Sequence, residues 1–67
     1  MKSITLNGQQ QNVADGSSIS DLLPVIGVDS QQVAVVVNSK IVRPEERDKF
    51  ILDDNDDVDI LIFAGGG

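Results

Sequence analysis

Side chains able to do covalent or acid–base chemistry are scarce in this sequence. It has no cysteine and no histidine. That removes a nucleophilic thiol, thiolate metal sites, disulfides, and the commonest general base and metal ligand. Three groupings of residues remain to be weighed. Asp53, Asn55 and Asp57 have the spacing of the first calcium ligands in a helix–loop–helix site, but Val58 stands where that loop needs glycine and Ala64 where it needs its closing glutamate. No metal site is expected there. Lys40, Arg43, Arg47 and Lys49 gather four of the five cations into one stretch, yet Glu45, Glu46 and Asp48 lie among them. The balance reads as a solvated surface rather than an anion site. The third grouping is Gly65, Gly66 and Gly67, which follow the apolar run "VDILIFA" directly. Glycine costs more backbone entropy to order than any other residue, so such a run adds nothing to a core and should be mobile. Taken alone it reads equally well as a frayed end.

Length and charge narrow what these groups could serve. A chain of 67 residues makes one domain near the lower limit for a single apolar core, burying roughly 60% of its unfolded surface. An enclosed catalytic cleft is not expected. The opening "MKSITLNGQQ" has no apolar signal-peptide core, and no run approaches the roughly 20 residues that span a bilayer; the expectation is a soluble, cytoplasmic protein with no membrane contact. A net charge of −6 would be repelled by nucleic acid and favours encounter with basic protein surfaces.

The elements that must position any site are well punctuated. Ile4 and Leu6 share one face of a strand, Asn7-Gly8 is the pair that best tolerates a two-residue hairpin turn, and a polar strand returns to about Val13. Asp15-Gly16 marks a turn. Ser18 with Asp21 three residues on forms a capping-box pattern, and Ile19, Leu22, Leu23 and Ile26 then make one apolar helical stripe. Gly27 suits a left-handed C-terminal cap, whereas Pro24 deletes a helical hydrogen bond and predicts a kink or an early end. "VAVVV" predicts a central strand, turned back at Asn38-Ser39 into a short one. Pro44 suits the first turn of a brief helical loop, "FIL" predicts another short strand, and "DDNDD" an acidic turn. In the last strand Val58, Ile60 and Ile62 alternate with Asp59, Leu61 and Phe63. Charged Asp59 marks the second set as the one facing water.

Hairpin, helix, strand pair, loop and final strand describe an α+β, β-grasp arrangement: a mixed sheet of four to five strands with one helix across a single face. The domain covers 1–63 and a flexible glycine tail covers 64–67. Such a domain ending in Gly-Gly resembles the ubiquitin-like sulfur carriers, and in detail the ThiS family of the thiamine pathway. The matching pieces are the Asn7-Gly8 hairpin, "SSISDLL", "VAVVVNSKIVRPEE", "DDNDDVDIL" and the terminal "GGG". Pro24, and Asn38-Ser39 where Asn-Gly is usual, depart from the pattern and bear on stability more than on function.

The resemblance implies a carrier that catalyses nothing and binds no cofactor. A partner adenylyltransferase related to ubiquitin activators would use ATP to adenylate the Gly67 carboxylate. Sulfur from a cysteine-desulfurase relay would convert it to a thiocarboxylate for delivery to a thiazole synthase. Ala64, Gly65, Gly66 and Gly67 would thread the partner's channel, reaching roughly 13 Å at about 3.3 Å per residue. Leu61 and Phe63, with Asp59, adjoin that tail and are read as a docking surface rather than as isolated exposed residues. The small subunit of molybdopterin synthase, a ubiquitin-like protein modifier and a plain interaction domain are the alternatives.

Overall fold

Two turns that require left-handed backbone set the layout. Asn7 and Gly8 take φ of 49° and 82°, and Asn38 and Ser39 take 51° and 70°. Both pairs therefore close tight hairpins whose twist suits the flanking strands. In the computed structural model, which describes residues 1–63, the first hairpin joins β1 (Lys2–Leu6) to β2 (Gln9–Val13) and the second joins β3 (Val33–Val37) to β4 (Lys40–Val42). The last strand, β5 (Asp57–Ile62), enters between them, parallel to β1 and antiparallel to β3. The result is one five-stranded mixed sheet, as the segment order predicts, with the strands in the order β2-β1-β5-β3-β4.

Helix α1 (Ile19–Val25) covers one face. Its start is the expected capping box: the Ser18 hydroxyl accepts from the Asp21 amide at 3.2 Å, and the Asp21 carboxylate accepts from the Ser18 amide at 3.0 Å. The helix runs one residue past Pro24 and then closes, with Gly27 at φ 77° donating to the Pro24 carbonyl and Val28 to the Leu23 carbonyl. This is a Schellman ending, so the helix ends early, one residue past Pro24. Ile19, Leu22 and Leu23 are buried against Ile4, Val13, Val33, Val35, Val37, Val42, Leu52, Val58 and Ile60.

Two expectations need correction. "FIL" does not form a strand of the sheet; only Ile51 bridges, to Ser18. The segment instead brackets the helix start, with the Ile19 amide donating to the Phe50 carbonyl and the Leu52 amide to the Ser17 carbonyl. Ile62, expected to point inward, is 63% exposed. It pairs with Val33 at the end of the β3–β5 ladder, but the β1–β5 pairing reaches only Val58, so Ile62 has no partner strand on its other side. Among the described residues no helix is long and apolar enough to cross a membrane.

The turn asparagines do more than turn the chain. Asn7 donates its amide to the Val58 carbonyl at 2.9 Å and accepts the Ile60 amide on Oδ1 at 2.8 Å. From the other side, Asn38 donates its amide to the Asp57 carbonyl at 2.8 Å and accepts the Asp57 amide on Oδ1 at 2.9 Å. Asn7→Gly keeps the turn's φ but removes the acceptor for Ile60. It should cost about 1 kcal/mol in chemical denaturation and speed exchange of the Ile60 amide, because an amide on a mostly buried strand then loses its partner.

Candidate functional site

The outward row of β5 runs Asp57, Asp59, Leu61, and the chain continues to Phe63. Strand alternation puts these side chains opposite the helix-covered core, in which Val58 and Ile60 are buried. Leu61 is 56% and Phe63 58% exposed, as alternation predicts, and Asp59 is exposed beside them. Register extends the surface beyond the residues that sequence alone suggests. Ala34 stands opposite Leu61, and Val36 stands opposite both Asp59 on β5 and Ile41 on β4. Ile41 is 77% exposed. Leu61, Ala34, Val36 and Ile41 thus form an apolar stripe across three strands. Directly opposed side chains on one sheet face lie about 4.5–5.5 Å apart.

The polar side of this face is acidic, with Asp57 and Asp59 in the β5 row. At the β1 end of the sheet Asp53 accepts the Asp54 amide on Oδ1 at 2.8 Å and meets the Lys2 ammonium at 3.4 Å. First the Asp54 amide and then Lys2 hold the Asp53 carboxyl below the usual carboxylate range, while the hydrogen bond to Asp53, with the nearby acidic charge, raises Lys2. Asp56 accepts from the Asn38 side chain and the Asp53 amide. The carboxylates of Asp53 and Asp56 thus close this loop on itself, and Asn55, at φ 70°, donates its amide to the Ser3 carbonyl.

The end of β5 is held by a neighbour that sequence reasoning places elsewhere. The Phe63 amide donates at 2.8 Å to the carbonyl of Gln32, the last residue of the short 3-10 turn Ser30–Gln32. That turn is anchored by Arg47. Expected among solvated cations, Arg47 is only 4% exposed, and its guanidinium donates to the Ser30 carbonyl at 2.7 Å and the Val33 carbonyl at 2.8 Å. The forked donor geometry of arginine suits two backbone acceptors at once. Charge counting along the chain cannot see this, because the acceptors lie 14 and 17 residues away. Lys40, Arg43 and Lys49 are exposed as expected. Ala64, Gly65, Gly66 and Gly67, the predicted tail and modification site, lie outside the described residues.

A last strand inserted between two hairpins, one helix on the inner face and an apolar stripe on the outer face define a small ubiquitin-like β-grasp domain. The chain belongs to the ThiS family, whose model matches residues 4–67. It is similar to the thiamine biosynthesis protein ThiS of Geobacter metallireducens. For the crystal structure of that protein the TM-score is 0.82 at 29% identity, over 97% of this chain and 99% of that one. For its solution structure the TM-score is 0.79 at 31% identity, over 97% and 87%. Among curated relatives, a thiazole synthase of Paramagnetospirillum magneticum is 34% identical over 64 residues, which is 96% of this chain and 20% of that protein. The chain spans the same 20% of a thiazole synthase of Magnetococcus marinus, at 31% identity. It therefore covers about a fifth of the curated thiazole synthases that it matches.

The two faces of β5 should respond differently to substitution. Ile60→Ala should destabilise by about 2–5 kcal/mol as a core truncation, whereas Leu61→Asp should leave the melting temperature nearly unchanged. Equal losses in thermal unfolding would mean that the outer row contributes to the core.

Proposed function

We propose that the chain carries sulfur as a thiocarboxylate on Gly67 and delivers it for assembly of the thiazole ring of thiamine. The observation that carries this reading is the family match, which continues through the glycines to residue 67. A carboxylate is a poor electrophile, so a partner adenylyltransferase of the ubiquitin-activating kind first joins it to the α-phosphate of ATP and releases pyrophosphate. The terminal sulfur of a persulfide, charged by a cysteine desulfurase, attacks the carbonyl carbon and expels AMP. A thiol then reduces the acyl disulfide, leaving the thiocarboxylate. The carrier's own groups position this chemistry and take no part in bond making beyond the terminal carboxyl. Glycine suits the segment because a backbone without Cβ atoms passes through a narrow channel.

Leu61, Phe63 and Asp59, with Ala34, Val36 and Ile41, supply the surface that the adenylyltransferase grips. Its apolar centre provides contact area and its acidic side provides orientation. Delivery to a thiazole synthase is supported by the likeness to one segment of two such enzymes. We place the exchange in the cytoplasm, where an ATP-dependent activating enzyme would work. Leu61→Asp should therefore weaken capture by the adenylyltransferase although the fold survives. Association should slow as salt rises, because exposed charges are screened beyond roughly 8–10 Å near physiological ionic strength, while dissociation changes less. A stopped-flow salt series with a flat association rate would reduce the net charge of −6 to a solubility feature.

Position at the terminus is the sharper test. One alanine added after Gly67 moves the carboxylate by about 3.3–3.6 Å, whereas a misplacement of about 1 Å can cost a hundredfold in rate. Pyrophosphate exchange with the cognate adenylyltransferase should collapse for this variant and for deletion of Gly67, with Gly65→Ala better tolerated and the melting temperature unchanged in all three. Unimpaired exchange by the extended chain would remove Gly67 from the chemistry.

A further inference from the structure

Arg47 is the one buried cation among the described residues, and it lies in no ion pair there. Its two carbonyl acceptors, on Ser30 and Val33, flank Gln32. The carbonyl of Gln32 in turn accepts the Phe63 amide, the last backbone hydrogen bond of β5 within the described chain. Val33 pairs with Ile62 in the same ladder. Ser30, Gln31 and Gln32 are exposed; besides Arg47 the turn is held by Val28 and Val33 in and against the core, by the Asp29 carboxylate capping the Gln31 amide at 2.9 Å, and by the Gln32 amide donating to the Asp29 carbonyl at 3.0 Å.

We propose that Arg47 is a positioning residue for the C-terminal segment. By gripping the backbone on both sides of Gln32 it fixes where the chain leaves β5, and so how Gly67 is presented to the adenylyltransferase. This rests on the carrier function proposed above. Of the docking surface only Phe63 belongs to this junction, while Asp59, Leu61, Ala34, Val36 and Ile41 lie within the sheet, so losing the grip of Arg47 should weaken binding to the partner little and lower chiefly the rate of the bound complex. Lysine does not replace arginine here, since a single ammonium lacks the fork that reaches both carbonyls.

The experiment compares the wild type, Arg47→Met, Arg47→Lys and the core control Val13→Ala, which lies on β2 away from this junction. Amide exchange at Phe63 is read against exchange at Thr5, whose amide donates to the Asp56 carbonyl at the opposite end of β5. Pyrophosphate exchange with the cognate adenylyltransferase supplies kcat and KM separately. In both Arg47 variants Phe63 exchange should rise by about tenfold or more relative to Thr5, and kcat should fall by about tenfold or more with KM little changed, as expected for a misplaced reacting group. Val13→Ala should lower the melting temperature without either effect. If Arg47→Met does not fold, Arg47→Lys carries the same readouts. The proposal is overturned if Phe63 and Thr5 loosen together, if Val13→Ala reproduces the loss of kcat, or if kcat survives in the Arg47 variants. A wild-type chain that is not adenylated at all would instead refute the carrier reading, and the exchange ratio would still decide whether Arg47 holds the end of β5.

Discussion

The sheet depends on β5 being paired along both edges. Each hairpin is a local structure that its own turn can form, but β1 and β3 are not neighbours; they meet only through β5. Until residues near the C-terminal end are in place there is no continuous surface for α1 to cover, and Val58 and Ile60 are missing from the core. Long-range pairing of this kind bears the loop-closure cost before its contacts form. The strand that completes the fold is thus also the strand that leads directly into Phe63 and its hydrogen bond to Gln32.

That coupling is reinforced at both ends of β5. Near its start, Asn7 and Asn38 reach in from the two hairpin turns and each satisfies a backbone donor and a backbone acceptor on the inserted strand. Past its end, the Phe63 amide is taken by Gln32, within the segment that Arg47 grips. An asparagine in left-handed conformation and an arginine with two carbonyl acceptors are each costly features elsewhere. Here the asparagines give backbone groups of β5 their partners, and the arginine holds the segment that receives the Phe63 amide. The inner row of β5 can then bury Val58 and Ile60, and the outer face is free to present Leu61, Phe63, Val36 and Ile41.

Features governed by neighbours in sequence are legible without coordinates. Asn7-Gly8, the Ser18–Asp21 box and Gly27 each answer a local φ or hydrogen-bond requirement, and each falls where the sequence places it. Alternation along β5 likewise gives the exposure of Asp59, Leu61 and Phe63. Where partners are distant the sequence is silent. The hydrogen bond from Ile60 to Asn7 spans 53 positions, the burial of Arg47 depends on carbonyls contributed by another loop, and the apolar stripe through Ala34, Val36 and Ile41 exists only once β3 and β4 take their register. Ile62 shows the opposite limit: it keeps the alternation, but it lies beyond Val58, where the pairing of β5 with β1 ends.

The central claim is that the working group of this protein is the main-chain carboxyl of Gly67, presented by a fold that does no chemistry itself. Intact-mass and fragment analysis of the chain after incubation with the cognate adenylyltransferase, ATP and a persulfide donor tests it most directly. The account predicts replacement of one oxygen by sulfur, localised to Gly67 and dependent on ATP. An unchanged mass under conditions in which the partner is active, or sulfur recovered on any other residue, would contradict it.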